Sequence, residues 1–244
     1  MDDLDFPEVY KDKPGTTSMI KVIPPPEPER FHIDVRERGK KLLDQHMGKK
    51  LSSKDFKPYW DDYRHQLKRG FSHRCGYSAT IVHGKGSVDH YLGKVSYPQQ
   101  AYEWSNYRFA SREMNSLKST YDEKILDPFE VEDDWFSINL STFEIVLTDA
   151  IPNNSIRERA KFTLEKLELN SQEAIESRLF AASMAFRNPF NEEVLETIRV
   201  DHPLIARALE EFRHSLRSSL SKDRVIEQLR GLFEKYSLES FELL

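Results

Sequence analysis

Four polar residues between positions 89 and 115 have the types and order needed to hydrolyse a phosphodiester bond. Asp89 and His90 are adjacent in the chain, and Asn106 and Asn115 follow them. A histidine can take a proton from water near neutral pH because its reference pKa is about 6.5. Asp carboxylates and Asn amide oxygens are ligands that suit Mg²⁺ or Mn²⁺. The pattern therefore predicts His90 as a base and Asp89 and Asn115 as metal ligands.

A strand–loop–strand–helix unit must position these side chains. The segment 87–92 alternates like a strand, 93–105 is a polar loop, and 106–110 is a second short strand. Residues 111–119 are typical of a helix, with Ser111 able to cap it. Asp89 and His90 then point to opposite faces of the first strand unless it bends or ends there. We expect the helix to bring Asn115 to the same ion as Asp89, and Asn106 to brace the loop that holds His90.

Three segments of this unit resemble the HNH (ββα-metal) nuclease motif: Ser87-Val-Asp-His-Tyr91, Trp104-Ser-Asn-Tyr-Arg-Phe109 and Arg112-Glu-Met-Asn-Ser-Leu-Lys118. The resemblance implies His90 as the general base, Asp89 and Asn115 as ligands of Mg²⁺ or Mn²⁺, and Asn106 as the structural middle Asn. The third HNH position is Asn115 here rather than His, a variant that recurs in one-metal HNH nucleases, including those of RNA-guided DNA nucleases.

Many HNH proteins flank the motif with two CxxC zinc knuckles, and this chain has one cysteine, Cys75. We therefore predict no structural zinc. Packing must replace it, and the aromatic and sulfur-containing candidates are Phe71, Tyr77, Tyr107 and Met114.

A wider resemblance covers most of the chain after residue 19. Segments including Phe56-Lys-Pro-Tyr-Trp60, Ala101-Tyr-Glu-Trp-Ser-Asn-Tyr107 and Leu126-Asp-Pro-Phe129 are similar to HNH proteins of bacterial anti-phage defence operons, the Septu-type nuclease subunits and their retron-associated relatives. This resemblance implies an ABC-type or SMC-like ATPase partner from the same operon. In the retron-associated relatives it also implies a reverse transcriptase and a non-coding RNA.

The charge distribution favours a polyanion on one part of an acidic chain. The net charge is -5 over 244 residues, yet the segment 57–118 holds ten Lys and Arg against five acids, so the remainder carries -10. A split of this kind indicates a nucleic-acid-facing segment, although an ordinary solvated surface also accounts for it. The cations that we predict to contact phosphates are Lys118, Arg108, Arg112, Lys94 and Arg74.

Three regions are predicted along the chain. Residues 1–30 form an extended, Pro-rich arm, residues 31–150 contain the HNH core with its motif at 87–119, and residues 151–244 are helical. The arm and the helical region are candidates for docking a partner. The helical faces and the aromatic stripe at Trp60, Tyr63, Leu67 and Phe71 are more typical of core packing than of binding.

Composition excludes several classes of protein. The first residues are acidic and lack an apolar stretch, which predicts no secretory signal, and no apolar run approaches the roughly 20 residues that a membrane span needs. A single cysteine excludes an intrachain disulfide, and a cytoplasmic location follows by default. Nothing resembles a Gly-rich phosphate loop, so energy coupling would have to come from a partner.

Together these observations predict an α+β protein in which a ββα-metal core is embedded in helices. The expected function is metal-dependent hydrolysis of DNA as the effector subunit of a defence complex with an ATPase. Two alternatives stay open. One is a catalytically silent subunit that keeps the nuclease fold for binding or sensing, and the other is a nuclease that acts on RNA.

Overall fold

The computed structural model describes residues 20–187 and 192–218, and within them the fold is α+β, as predicted. Two separate antiparallel sheets of two strands each are accompanied by seven α-helices in these ranges. The strands are β1 (Ser87–His90), β2 (Tyr107–Ala110), β3 (Phe136–Asn139) and β4 (Glu144–Leu147). The helices are α1 (Arg38–Gln45), α2 (Arg64–Gly70), α3 (Arg112–Lys118), α4 (Asn154–Lys166), α5 (Gln172–Arg187), α6 (Glu192–Asp201) and α7 (Pro203–Ser218).

The strand–loop–strand–helix order expected from the sequence is present in β1, β2 and α3. In the antiparallel register Asp89 lies opposite Arg108 and His90 opposite Tyr107. The Ser111 side chain accepts a hydrogen bond from the Met114 amide at 3.1 Å, so it caps α3 as predicted. Strand β1 ends at His90 and not at Leu92, because the main chain of Leu92 bonds to a side chain outside the sheet.

The aromatic stripe belongs to the core, as its helical spacing indicated. Trp60, Tyr63, Leu67 and Phe71 are all buried. A 3₁₀ turn carries the first two of them (Tyr59–Tyr63), and only then does α2 begin. Phe31, which precedes a π-helical turn leading into α1, packs edge-on against Tyr63 at 5.3 Å between ring centroids.

Residues 20–28 of the N-terminal arm have no regular secondary structure and lie against the core. The main-chain amides of Ile20 and Lys21 donate to one oxygen of Asp133 at 2.5 and 2.7 Å. Further along, the Trp104 indole N–H donates to the Pro25 carbonyl at 2.8 Å. These bonds replace the strand pairing that proline prevents. Residues 1–19 of the predicted arm lie outside the described residues.

The C-terminal helices cover the hairpin formed by β3 and β4. Arg178 of α5 donates to the carbonyl of Phe143 in the hairpin turn, and Arg207 of α7 donates to that of Phe136. One contiguous cluster of buried side chains runs from Ile20 to Phe212, so the predicted helical region shares a core with the sheets. Residues 188–191 and 219–244 of the predicted helical region lie outside the described residues.

Candidate active site

His90 stands at the end of β1 in a defined orientation. Its Nε2 atom lies 2.9 Å from the Ala101 carbonyl oxygen. Its ring packs edge-on against Trp60 and Tyr107, with centroid separations of 4.5 and 5.1 Å. A carbonyl oxygen can only accept, so Nε2 carries the proton and Nδ1 carries the lone pair. This is the tautomer that a base needs if it is to use Nδ1.

The surroundings keep His90 neutral. Burial lowers the pKa of His90 to about 3, and the nearby positive charges of Lys94 and Lys118 act in the same direction. Among the described residues, the buried side-chain polar atoms without a partner are Gln66 Oε1 and His202 Nδ1. The Nδ1 atom of His90 has no protein partner among the described residues and is not one of these fully buried atoms.

Asp89 points to the other side of β1, where α3 covers it. Its Oδ2 accepts a hydrogen bond from the Tyr77 hydroxyl at 2.5 Å, and its Oδ1 lies 3.3 Å from the Lys118 ammonium. Lys118 also donates to the His90 carbonyl at 2.9 Å. Burial raises the pKa of the Asp89 carboxyl, and Lys118 and then Tyr77 oppose that rise. Asp89 is only 3% exposed and Lys118 is fully buried.

Asn106 holds the loop between the two strands closed. Its Oδ1 accepts from the Leu92 amide at 2.8 Å, and its Nδ2 donates to the carbonyls of Leu92 and Gln100, each at 3.0 Å. The residue after Gln100 is Ala101, whose carbonyl orients His90. Asn106 is thus placed as expected for a residue that braces this loop.

Asn115 lies on the face of α3 that packs over β1. Its Nδ2 faces Ser87 Oγ at 3.2 Å and the Val88 carbonyl at 3.4 Å. Its Oδ1 takes no donor from the described residues. Lys118 follows one turn later on the same helix and reaches Asp89. Asn115 and Asp89 therefore share one interface between β1 and α3.

The donor chemistry of this interface fits a hard cation such as Mg²⁺, with one carboxylate and one available amide oxygen. No group of three or more His, Cys, Asp or Glu side chains that could hold a metal ion occurs within residues 20–187 and 192–218. An ion here would depend on Asp89 and Asn115, with water and substrate oxygens for the rest. Because the Lys118 ammonium contacts the same carboxylate, a metal ion and Lys118 would compete for Asp89.

The five cations predicted to bind phosphates occupy different environments. Arg112 is exposed, and Lys94 and Arg74 are partly buried. The Lys94 ammonium lies 5.0 Å from the Trp60 ring centre, beside His90. The other two cations, Arg108 and Lys118, are buried.

Arg108 and Lys118 are engaged by the protein itself rather than presented to solvent. The Arg108 guanidinium forms a two-pronged pair with Asp127, at 2.5 and 2.6 Å, and stacks 3.7 Å from the Phe129 ring centre. Lys118 bonds to Asp89 and to the His90 carbonyl. This geometry gives both cations a structural position, because a phosphate contact would require each to leave a buried partner.

Two features of the site were not anticipated from the sequence. The first is Tyr77, which we expected to contribute to packing. Its hydroxyl donates a hydrogen bond to one oxygen of Asp89. No sequence signal marks a tyrosine twelve positions away as a partner. The second is a group of cations around Arg38 and Lys57. Counting charges over a shorter segment would have identified this group, since residues 38–57 hold seven Lys and Arg against two Asp.

Comparisons with protein-family models, curated proteins and solved structures find no match to this chain. The described helices include none that is both long and apolar enough to cross a bilayer.

Proposed function

We propose that this chain is a metal-dependent endonuclease of the HNH type that hydrolyses phosphodiester bonds in DNA. The observation that supports the proposal most is the arrangement within β1, β2 and α3. There His90 Nδ1 and Asn115 Oδ1 take no hydrogen bond from the described residues, and Asn106 fixes the loop that orients His90. A base and an oxygen ligand on one small unit suit hydrolysis of a phosphodiester.

His90 acts as the general base in this proposal. Its Nδ1 accepts a proton from the attacking water, and the Ala101 carbonyl holds the Nε2 proton and stabilises the resulting imidazolium. A phosphodiester anion beside the ring raises the pKa of His90 towards the working range, because negative charge favours the protonated ring. Asp89 and Asn115 would hold a Mg²⁺ or Mn²⁺ ion, which would supply electrostatic stabilisation of the phosphate charge.

Two of the predicted phosphate contacts are placed to hold the strand. Arg112 is exposed at the start of α3, and Lys94 lies over the Trp60 ring beside His90. The guanidinium can bind a phosphate through two N–H groups, whereas the ammonium acts as a point charge. We assign backbone binding at the reaction centre to these two side chains.

The resemblance to defence nucleases leads us to propose an ABC-type or SMC-like ATPase as a partner. The face that supports docking is on the C-terminal helices, where Phe180 is 60% exposed and Val200 is 40% exposed. Co-purification of the full chain with the co-expressed ATPase tests this. Loss of the complex in Phe180→Asp, with an unchanged melting temperature, supports docking on this face, and retention argues against it.

Cleavage of supercoiled plasmid, single-stranded DNA and single-stranded RNA in Mg²⁺ or Mn²⁺ tests the activity. His90→Ala is the test variant, and His83→Ala, which removes an exposed histidine, is the matched control. We expect metal-dependent cleavage of DNA that is lost in His90→Ala and kept in His83→Ala. Equal cleavage by His90→Ala at equal stability would refute the role of His90, and cleavage of RNA alone would reassign the substrate.

One observation favours a second candidate, a catalytically silent subunit that keeps the nuclease fold for binding. Both oxygens of Asp89 are engaged, one by Tyr77 and one by Lys118. A carboxylate with both oxygens engaged by the protein stabilises the fold whether or not a metal ion binds. Absence of cleavage with every metal and substrate, with and without the ATPase, would favour this candidate.

A further inference from the structure

We infer that the chain carries a second nucleic-acid-binding site, which receives the sugar–phosphate backbone of the strand bound at His90. The inference rests on the proposed function, because it assumes that nucleic acid is the substrate. The site is an open pocket of about 430 Å³ between α1 and the segment that follows it. We call it the basic pocket, and its charged and aromatic lining includes Arg38, Lys41, His46, Lys54, Lys57 and Tyr59.

The three lysines of the basic pocket are not paired with neighbouring acids. Lys41, Lys54 and Lys57 are exposed and make no ion pair within the described ranges. The one carboxylate in the described lining is Asp55, whose Oδ2 accepts from the amide and the hydroxyl of Ser52, each at 2.7 Å. Unpaired cations gathered around one concave surface favour a polyanion.

Arg36, close to the basic pocket in the chain, shows the contrast. Its guanidinium bonds to Glu27 at 2.5 Å and to Glu103 at 2.8 Å. These two carboxylates therefore pair with a cation that is not part of the basic pocket.

Arg38 is arranged to bind a phosphate group. Its guanidinium carbon lies 3.9 Å from the centre of the Tyr59 ring, within the range of a cation–π interaction. Among the described residues its hydrogen-bonding partner is the Asp34 carbonyl at 3.3 Å, a long contact. The remaining N–H groups of the fork are available to phosphate oxygens, and stacking reduces the side-chain entropy that binding would otherwise cost.

One aromatic cluster connects the basic pocket to His90. The Tyr59 ring contacts Tyr102 at 5.8 Å, Tyr102 contacts Trp60 at 5.5 Å, and Trp60 contacts His90 at 4.5 Å between centroids. The Tyr102 hydroxyl also donates to the Lys57 carbonyl at 3.3 Å. The basic pocket and the candidate active site therefore border the same layer of packed aromatic rings, and a single strand a few nucleotides long would span both.

Binding of labelled DNA by the full chain tests the inference without any cleavage. Fluorescence anisotropy measures the affinity for a fluorescein-labelled 20-nucleotide single strand and for its duplex, in EDTA over a series of salt concentrations. The test variant is Lys41→Gln/Lys54→Gln/Lys57→Gln. The matched control is Lys40→Gln/Lys49→Gln/Lys50→Gln, which removes three exposed lysines of the same segment outside the pocket lining.

We expect the test variant to bind the single strand about 10- to 100-fold more weakly at 0.1 M salt. We also expect its plot of log affinity against log salt concentration to be shallower by about 2, because each lost phosphate contact removes roughly 0.7 from the slope. The control should stay within about twofold of wild type, as expected for lysines that do not contact the strand. An equal loss in both variants, or no loss in the test variant, would overturn the inference.

This experiment separates the inference from the proposed function. Wild-type chain that binds through the basic pocket but cleaves nothing in Mg²⁺ or Mn²⁺ would refute the nuclease and leave the binding site intact. Wild-type chain that cleaves DNA, with binding and cleavage unchanged in the test variant, would refute the binding site and leave the nuclease intact.

Discussion

Replacing Lys118 by methionine probes the buried contact between its ammonium group and Asp89, the carboxylate of the candidate metal site. Methionine keeps the length and the apolar stem of lysine but removes the ammonium group. The change leaves the Asp89 carboxylate with Tyr77 as its described partner and removes the donor to the His90 carbonyl. Both side chains of the pair are almost completely buried, so water cannot replace the lost contact without opening the packing.

The expected cost follows from that burial. Removing one member of a buried ion pair typically destabilises a protein by about 3–5 kcal/mol, because an uncompensated charge is left inside. The double variant Asp89→Asn/Lys118→Met removes the charge as well and should recover about 2–4 kcal/mol of that loss. Since a whole domain is stable by only about 5–15 kcal/mol, the single variant should still fold at low temperature but with little reserve.

The pH dependence gives the prediction a second signature. Without Lys118, the folded-state pKa of Asp89 rises further above its unfolded value, because burial then acts with less opposition. The folded chain then binds more protons than the unfolded chain, so its stability falls as the pH rises. The deficit of Lys118→Met should therefore be smaller at pH 5 than at pH 8.

Urea unfolding at 15 °C, followed by tryptophan fluorescence at both pH values, measures these quantities. The control is Lys85→Met, which removes an exposed lysine and should change the stability by less than about 0.5 kcal/mol. A cost below about 1 kcal/mol for Lys118→Met, or full additivity with Asp89→Asn, would show that the two groups are not paired in the folded chain.

Four further predictions follow from the site. Asn106→Ala should lower the free energy of unfolding by about 3 kcal/mol in urea titrations, because three buried main-chain bonds lose their partner. Arg108→Lys should cost about 2 kcal/mol in the same assay, because lysine cannot reproduce the two-pronged pair with Asp127. Lowering the pH from 7 to 5 should reduce the free energy of unfolding of wild type by about 2 kcal/mol more than that of His90→Gln. The reason is that the folded-state pKa of His90, about 3, lies below its unfolded value, so the neutral ring is favoured only in the folded chain. Saturating Mn²⁺ should raise the melting temperature of wild type by several degrees and that of Asn115→Ala by less, as thermal scans would show.

Local pattern was enough to predict the framework of the candidate site. The alternation around Asp89 and the capped helix after Ser111 depend on neighbours in sequence, and the structure contains both. The segment predicted as a polar loop instead forms two 3₁₀ turns and buries Tyr102 and Trp104 in the core. The exact end of β1 could not be predicted in this way. It is set by Asn106, whose side chain captures the main chain of Leu92 across the loop.

The environments of the site residues depend on contacts that sequence spacing does not encode. Lys118 and Arg108 have the charge expected of phosphate contacts, yet tertiary packing buries one against Asp89 and the other against Asp127. The cations of the basic pocket are close together in the sequence. The sequence does not show that they line one pocket with Tyr59, because this depends on how α1 packs beside the segment that follows it.

The central claim is that His90 is the base that activates water, and chemical rescue tests it most directly. The measurement is the single-turnover cleavage rate of His90→Ala on plasmid DNA in Mn²⁺, with increasing imidazole. We predict a loss of about 10²–10⁴-fold relative to wild type. Imidazole should restore activity saturably by entering the space beside Trp60, with a pH profile that follows free imidazole. Cleavage by His90→Ala at the wild-type rate without imidazole would contradict the account.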